Sequence, residues 1–214
     1  MNRNIKIMKK TQQNLFIAFA CIFIVSTFLT PFPLSWALKI LPIAVLLQFS
    51  WQQWSITRES AHKLFIVGLV FSALGDFFLD YDRVNWFIFG LGSFLVAHLF
   101  YIFSLKPFTI KRVPIIALYC LYGVGMFSLI YGGLGYLFIP VLVYMTVLLL
   151  MGITTLLSQK SNTWLIIGGI SFIISDSLIG LNQFYQEIPN ASFWIMTSYY
   201  FAQFSLVKGM FEQK

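Results

Sequence analysis

The sequence predicts an all-α fold: a polytopic membrane bundle of about eight transmembrane helices, with both the N- and C-termini cytoplasmic. Three observations predict it. Hydrophobic residues make up 59% of the chain and charged residues only 10%, against roughly 25% charged in a soluble domain, which leaves too little polar surface to cover a water-soluble globule. Apolar runs close to the ~20 residues that cross ~30 Å of hydrocarbon alternate with short polar breaks. Basic residues gather at alternate breaks.

The first run, Leu15–Leu29, follows a basic cytoplasmic tail over residues 1–13 that holds Arg3, Lys6, Lys9 and Lys10. Thr30-Pro-Phe-Pro33 follows it with no small-x-small cleavage site, so it reads as a retained helix rather than a signal peptide. The second run is Leu34–Trp54, the third Lys63–Tyr81 and the fourth Val84–Leu105. The fifth is Val113–Tyr131, parted only by Tyr131-Gly-Gly-Leu-Gly135 from the sixth, Leu134–Leu157. Thr163–Gln183 and Ala191–Met210 complete the set. Strands isolated in lipid would leave backbone groups unpaired, so each run is read as a helix. Pro42 and Pro140 fall inside the second and sixth runs, where they are expected to kink the helix. Cys21 and Cys120 lie within runs and read as apolar packing residues, not a disulfide. The whole chain, residues 1–214, reads as a single integral membrane domain.

Orientation follows from the positive-inside rule. With the N-terminus cytoplasmic, the inner segments collect Arg3, Lys6, Lys9, Lys10, Arg58, Lys63, Lys106, Lys111, Arg112, Lys160, Lys208 and Lys214. Of the 14 basic residues only Lys39 and Arg83 lie toward the outside, and Lys39 is within a helix. The net charge of +7 therefore orients the protein in a cell membrane, and nucleic acid need not be invoked.

Chemistry in a membrane protein is sought at polar residues in costly places. A carboxylate at a helix centre costs roughly 2.5–3.5 kcal/mol on insertion scales. Two acidic residues lie well inside the runs, Asp76 and Asp176, while Asp80 and Asp82 lie toward the outer end of the third. Asp76 is thirteen residues after Lys63, and Asp176 thirteen after Thr163. Both helices run outward, so both carboxyls are placed ~20 Å above the inner end. Their flanks match as well: Gly68 through Gly75-Asp76-x-x-Leu79 parallels Gly168 through Ser175-Asp176-x-x-Ile179, a hint of a parallel four-plus-four repeat. Small residues recur beside both, at Gly68, Ser72, Asp76 and Asp80 and at Gly168, Ser175, Asp176 and Gly180, which points both stripes at protein rather than lipid. The bland reading is that each Asp merely hydrogen-bonds a neighbouring helix. His98 and Tyr101 in the fourth run, Asn182 and Gln183 at the end of the seventh, and Tyr199, Tyr200 and Gln203 in the eighth are further polar candidates.

Absences narrow the chemistry. The two histidines, His62 and His98, and the two cysteines cannot supply a three-ligand zinc site. No Gly-x-Ser-x-Gly elbow and no P-loop occur. Two carboxylates in an apolar bundle suit acid–base work on a lipid, or proton-coupled transport.

Gly75-Asp76, Gly90 through His98 and Tyr101, Ser175-Asp176-Ser-Leu-Ile-Gly-Leu-Asn182 and Tyr199-Tyr200-Phe-Ala-Gln203 form an ordered set that resembles the YhhN-type family of lysoplasmalogenases. The resemblance covers roughly residues 68–206. It implies an eight-helix membrane hydrolase that cleaves the vinyl ether bond of lysoplasmalogens, releasing a fatty aldehyde and glycerophosphoethanolamine or glycerophosphocholine. Its substrate would be a lysophospholipid within the bilayer, among membrane lipids. In the scheme that fits, Asp76 and Asp176 are catalytic: one protonates the outer vinyl carbon, and the other stabilises the oxocarbenium ion and activates water, as the carboxylate pair of a glycosidase does. Asp80, His98, Tyr101, Asn182, Tyr199, Tyr200 and Gln203 are the supporting or substrate-binding candidates. No metal and no cofactor is required. A proton-coupled carrier and a structural or lipid-binding membrane protein are the alternatives.

Overall fold

A computed structural model describes residues 7–29, 31–82, 84–109 and 113–211. Arg3, Lys6, Thr30, Arg83, Lys111, Arg112 and Lys214, which the sequence reading used, lie outside the described residues.

Among the described residues the protein is all-helical apart from one isolated bridge between Phe108 and Ser158. Eight α-helices follow in order: α1 Lys10–Ser26, α2 Ser35–Thr57, α3 Ser60–Tyr81, α4 Phe87–Ser104, α5 Val113–Ile130, α6 Phe138–Leu157, α7 Thr163–Phe184 and α8 Ala191–Phe211. Six stretches, built on α1 and α3 to α7, are long and apolar enough to cross a membrane. The other two helices, α2 and α8, are as long but carry more polar side chains, among them Lys39, Gln53 and Gln203, all buried inside the bundle.

The helices pack chiefly as sequential pairs, α3 on α4 and α7 on α8, with α2 against α3 and α6 against α4. Small residues make these pairs close. A side chain at Gly168 would meet the backbone nitrogen of Leu206 at 2.9 Å, and one at Gly75 would meet the Phe94 ring at 2.6 Å. Both stripes flagged in the sequence therefore face protein: Gly68, Ser72 and Asp76 are buried on α3, and Gly168 and Ser175 on α7. Phe16 of α1 stacks on Phe204 of α8, with centroids 5.2 Å apart, which joins the first helix to the last.

Local chemistry sets the boundaries. Asn162 caps α7 by accepting from the backbone of Trp164 and Leu165, and its amide donates to the Gly209 carbonyl at 2.7 Å, tying the start of α7 to the end of α8. Asp82 accepts from the backbone N–H groups of Asn85 and Val84, forming the α3–α4 turn and delaying α4 to Phe87. These bonds, Asn85 first, hold its carboxyl below the usual carboxylate range.

Several expectations are corrected. The first helix begins at Lys10, so the basic tail is already helical over its last residues. The sixth helix begins at Phe138 after two short 3-10 turns, Tyr131–Gly133 and Gly135–Leu137. Pro140 therefore lies in its first turn, where a missing N–H costs no bond, and only Pro42 is interior to a helix. Cys21 and Cys120 are free and exposed on the outer surface of the bundle rather than packed within it.

Candidate active site

Asp76 and Asp176 occupy equivalent places in the sequence motif and quite different surroundings in the fold. Asp76 is 2% exposed. Its Oδ1 lies 3.6 Å from the Lys39 ammonium of α2, and its Oδ2 accepts the hydroxyl of Tyr199 of α8 at 2.6 Å. Behind Tyr199 runs a continuous chain of hydrogen bonds: Gln203 donates to the Tyr199 hydroxyl at 3.2 Å, Tyr101 donates to Gln203 at 3.0 Å, and Ser72 meets Tyr101 at 3.1 Å. All four side chains are buried. Tyr200 turns the other way and donates to the Lys39 backbone carbonyl at 2.7 Å, fixing the turn of α2 that carries the lysine.

Asp176 is half-buried, and its one described partner is the hydroxyl of Tyr144 on α6, which donates to it. No cation stands beside it among the described residues. It lines a cleft between α4, α5, α6 and α7 whose walls are almost wholly apolar, with Phe94, Met126, Leu148 and Ile173 among them. The cleft's own volume is about 60 Å³. An apolar cavity with one or two convergent polar groups is the usual form of a small-molecule site.

A second pocket is more polar, though apolar side chains line part of it too. Ser35 and Lys39 of α2, Asp80 of α3 and Ser192 of α8 line it, beneath the turn between α1 and α2. The Ser35 hydroxyl donates to Asp80, and Lys39 and Asp76 face each other one turn deeper. Leu79 and Ile179 belong to both cavities and form the wall between them. Each stands three residues after one of the two aspartates.

Of the residues singled out in the sequence, Tyr101, Tyr199 and Gln203 converge on Asp76, Tyr200 supports Lys39, and Asp80 reaches the polar pocket. Two do not join either group. Asn182 accepts from the backbone of Ile188 at 2.9 Å and shapes the turn after α7. His98 is fully buried, edge-on to Phe172 at 4.7 Å and 5.5 Å from the Tyr144 ring, and neither ring nitrogen has a hydrogen-bond partner. Sequence reasoning missed Lys39, Ser35 and Tyr144. The cost of a buried charge, applied to the aspartates, flags Lys39 equally well; nothing marks Tyr144 among ten tyrosines. Among the described residues no group of three or more metal-ligating side chains gathers.

The chain matches the YhhN family over residues 34–210, a stretch that contains both aspartates and the whole lining of the apolar cleft. A lysoplasmalogenase of Mycobacterium tuberculosis is 33% identical over 178 residues, covering 79% of this chain and 67% of the relative. The human lysoplasmalogenase TMEM86A is 32% identical over 170 residues, 74% of this chain and 69% of its own. Human lysoplasmalogenase TMEM86B is 30% identical over 175 residues, 79% and 74%. No solved structure matches the chain. With its apolar helices, these likenesses make it a multi-pass membrane protein and a lysoplasmalogenase-like hydrolase.

Proposed function

The chain belongs to the YhhN family, and from that premise we propose that it cleaves the vinyl ether bond of a lysoplasmalogen to a fatty aldehyde and glycerophosphoethanolamine or glycerophosphocholine. One observation carries the assignment of roles: of the two intramembrane carboxyls, Asp176 lies on the wall of an apolar cleft, while Asp76 borders neither cavity and is paired with a lysine.

An alkenyl chain matches the apolar walls of the cleft, and burying it there contributes about 0.8 kcal/mol per methylene. Its vinyl ether then lies along Asp176. A buried carboxylate without a counter-ion is costly; Asp76 has one in Lys39, and Asp176 has none among the described residues. The proton therefore comes from Asp176, which transfers it to the vinyl carbon remote from the ether oxygen. The double bond's electrons form the new C–H bond, and the ether oxygen's lone pair closes the oxocarbenium ion. Water adds to the cationic carbon and gives up a proton to the Asp176 carboxylate, restoring the acid. The hemiacetal then collapses: its C–O bond to glycerol breaks, the glycerol oxygen takes a proton, and the hydroxyl proton is lost. The sum is one water consumed and no net proton. Asp76 supplies a fixed negative charge near the developing cation, held in place by Tyr199 and the chain of Gln203, Tyr101 and Ser72 behind it. Tyr144 orients Asp176. His98 packs the floor of this region, and Asn182 holds the α7–α8 turn. The scheme runs on side chains alone, with no metal or cofactor.

The protein is placed in a cell membrane with its termini cytoplasmic, as the basic inner segments favour. Both cavities then lie in the outer half of the bundle.

Purified protein incubated with lysoplasmenylethanolamine should release aldehyde, and Asp176→Asn and Asp76→Asn should each lose most of it while staying folded. A wild type that releases none, or two folded Asn variants with full activity, would remove this reading.

A further inference from the structure

We propose that the polar pocket of Ser35, Lys39 and Asp80 is the head-group site of the enzyme, with Lys39 reading the phosphate and Asp80 the amine of a zwitterionic lysophospholipid. This rests on the hydrolase reading and extends it to specificity.

The groups are stacked in order along two antiparallel helices. On α3, Asp76 is one turn deeper than Asp80; on α2, Lys39 is one turn deeper than Ser35, and each pairs across with its counterpart. Along the pocket wall the Lys39 ammonium therefore comes first and the Asp80 carboxyl one turn further out. A lysoplasmalogen presents its own groups in a matching order from the chain outward: vinyl ether, glycerol, phosphate, amine. Set with its chain in the apolar cleft and its vinyl ether at Asp176, it brings the phosphate to Lys39 and the amine to Asp80. The two cavities meet only across Leu79 and Ile179, so a lipid lying over that sill occupies both.

Lys39 is free to do this. Its contact with Asp76, at 3.6 Å, is longer than a good hydrogen bond, and an ammonium carries three donors. The lysine is 7% exposed yet contributes to the pocket wall, so its charge acts where water screens it little. Tyr200 anchors the backbone that carries it. A lysine serving Asp76 alone would not need to border a pocket.

The test compares three substrates: lysoplasmenylethanolamine, 1-alkenylglycerol 3-phosphate without the amine, and 1-alkenylglycerol with neither group. Lys39→Gln should slow all three, because Asp76 loses its counter-ion, and should lower kcat/KM about ten-fold further on the two phosphate substrates than on 1-alkenylglycerol, the size of a lost hydrogen bond to a charged group. Lys39→Arg should restore most of the loss. Asp80→Asn should cost activity on lysoplasmenylethanolamine and not on the amine-free phosphate. Equal penalties across all three substrates would overturn the assignment and leave Lys39 as a partner of Asp76 only. Should the variants fold poorly, the wild type still decides. Glycerophosphoethanolamine should inhibit it better than glycerol 3-phosphate, and that better than inorganic phosphate or glycerol; equal inhibition by all four overturns the proposal. If the wild type cleaves no vinyl ether, the hydrolase reading has failed instead. Binding then tests the pocket directly, since 1-alkyl-lysophosphatidylethanolamine should bind more tightly than 1-alkylglycerol, and equal affinity refutes it.

Discussion

The surroundings of Asp76 and Asp176 differ more than their sequences do. Both follow a small residue, both precede an aliphatic one by three positions, and both sit in the second half of their helix. Around Asp76 the neighbouring helices contribute a lysine and a tyrosine, and three further bonded groups extend the network into the bundle. Around Asp176 they contribute one tyrosine and open space. A repeated motif thus delivers two carboxyls to the membrane interior, and the partner helices decide what each does. A fully satisfied buried network is rigid, and removing one member leaves the rest unpaired. A carboxyl on a cavity wall with one partner is poised to meet a ligand.

That contrast can be broken by experiment. The largest effects come from the carboxyls themselves. Asp176→Asn should lower the rate of aldehyde release by roughly 10²- to 10⁴-fold, the span of general acid catalysis, with little change in the thermal midpoint. Asp76→Asn should lower the rate and also destabilise the fold by about 3–5 kcal/mol, because it strands the Lys39 charge inside the bundle. Differential scanning of the two detergent-solubilised variants separates them, and equal melting points would erase the distinction between an anchored and a poised carboxyl.

Their tyrosines come next. Tyr144→Phe removes the only described donor to Asp176 and should cost about 1.5–3 kcal/mol in kcat/KM, read as aldehyde release. Tyr199→Phe should show its loss chiefly in stability, about 1–3 kcal/mol for the groups left unsatisfied. The reverse pattern would exchange the two roles.

Smaller again is the effect of filling the cleft. Gly180 lines it, and a side chain added there has only Ile130 within reach, at 3.8 Å. Gly180→Leu should therefore fold, and should erase the advantage of long alkenyl chains over short ones, about four-fold per methylene excluded. An unchanged chain-length profile would place the chain elsewhere. The smallest change belongs to His98. Its imidazole is buried with no hydrogen-bond partner, so His98→Leu should raise stability by about 1 kcal/mol and leave turnover within about two-fold. A collapse in turnover would make the imidazole a participant.

Much of this was legible before any coordinates. Eight helices follow from the lengths of the apolar runs, and the two aspartates from the cost of placing a carboxylate in hydrocarbon. Lys39 obeys the same rule and was read instead as a topology charge, because its partner is distant in sequence and periodicity along one helix carries no news of the next. Tyr144 was invisible for a related reason: a tyrosine in an apolar helix is unremarkable until another helix brings a carboxyl to its hydroxyl. The start of α6 was misplaced because the apolar run continues through two 3-10 turns, and hydropathy does not distinguish one helical geometry from another.

The wall made by Leu79 and Ile179 bears on where the reaction goes once the bond is cut. In the proposed reaction the aldehyde would be left in the apolar cleft and the glycerophospho-alcohol in the pocket beneath the α1–α2 turn. Each can depart into the phase that dissolves it, the first sideways into the bilayer and the second into water. Two exits to two solvents would let the proposed products clear separately.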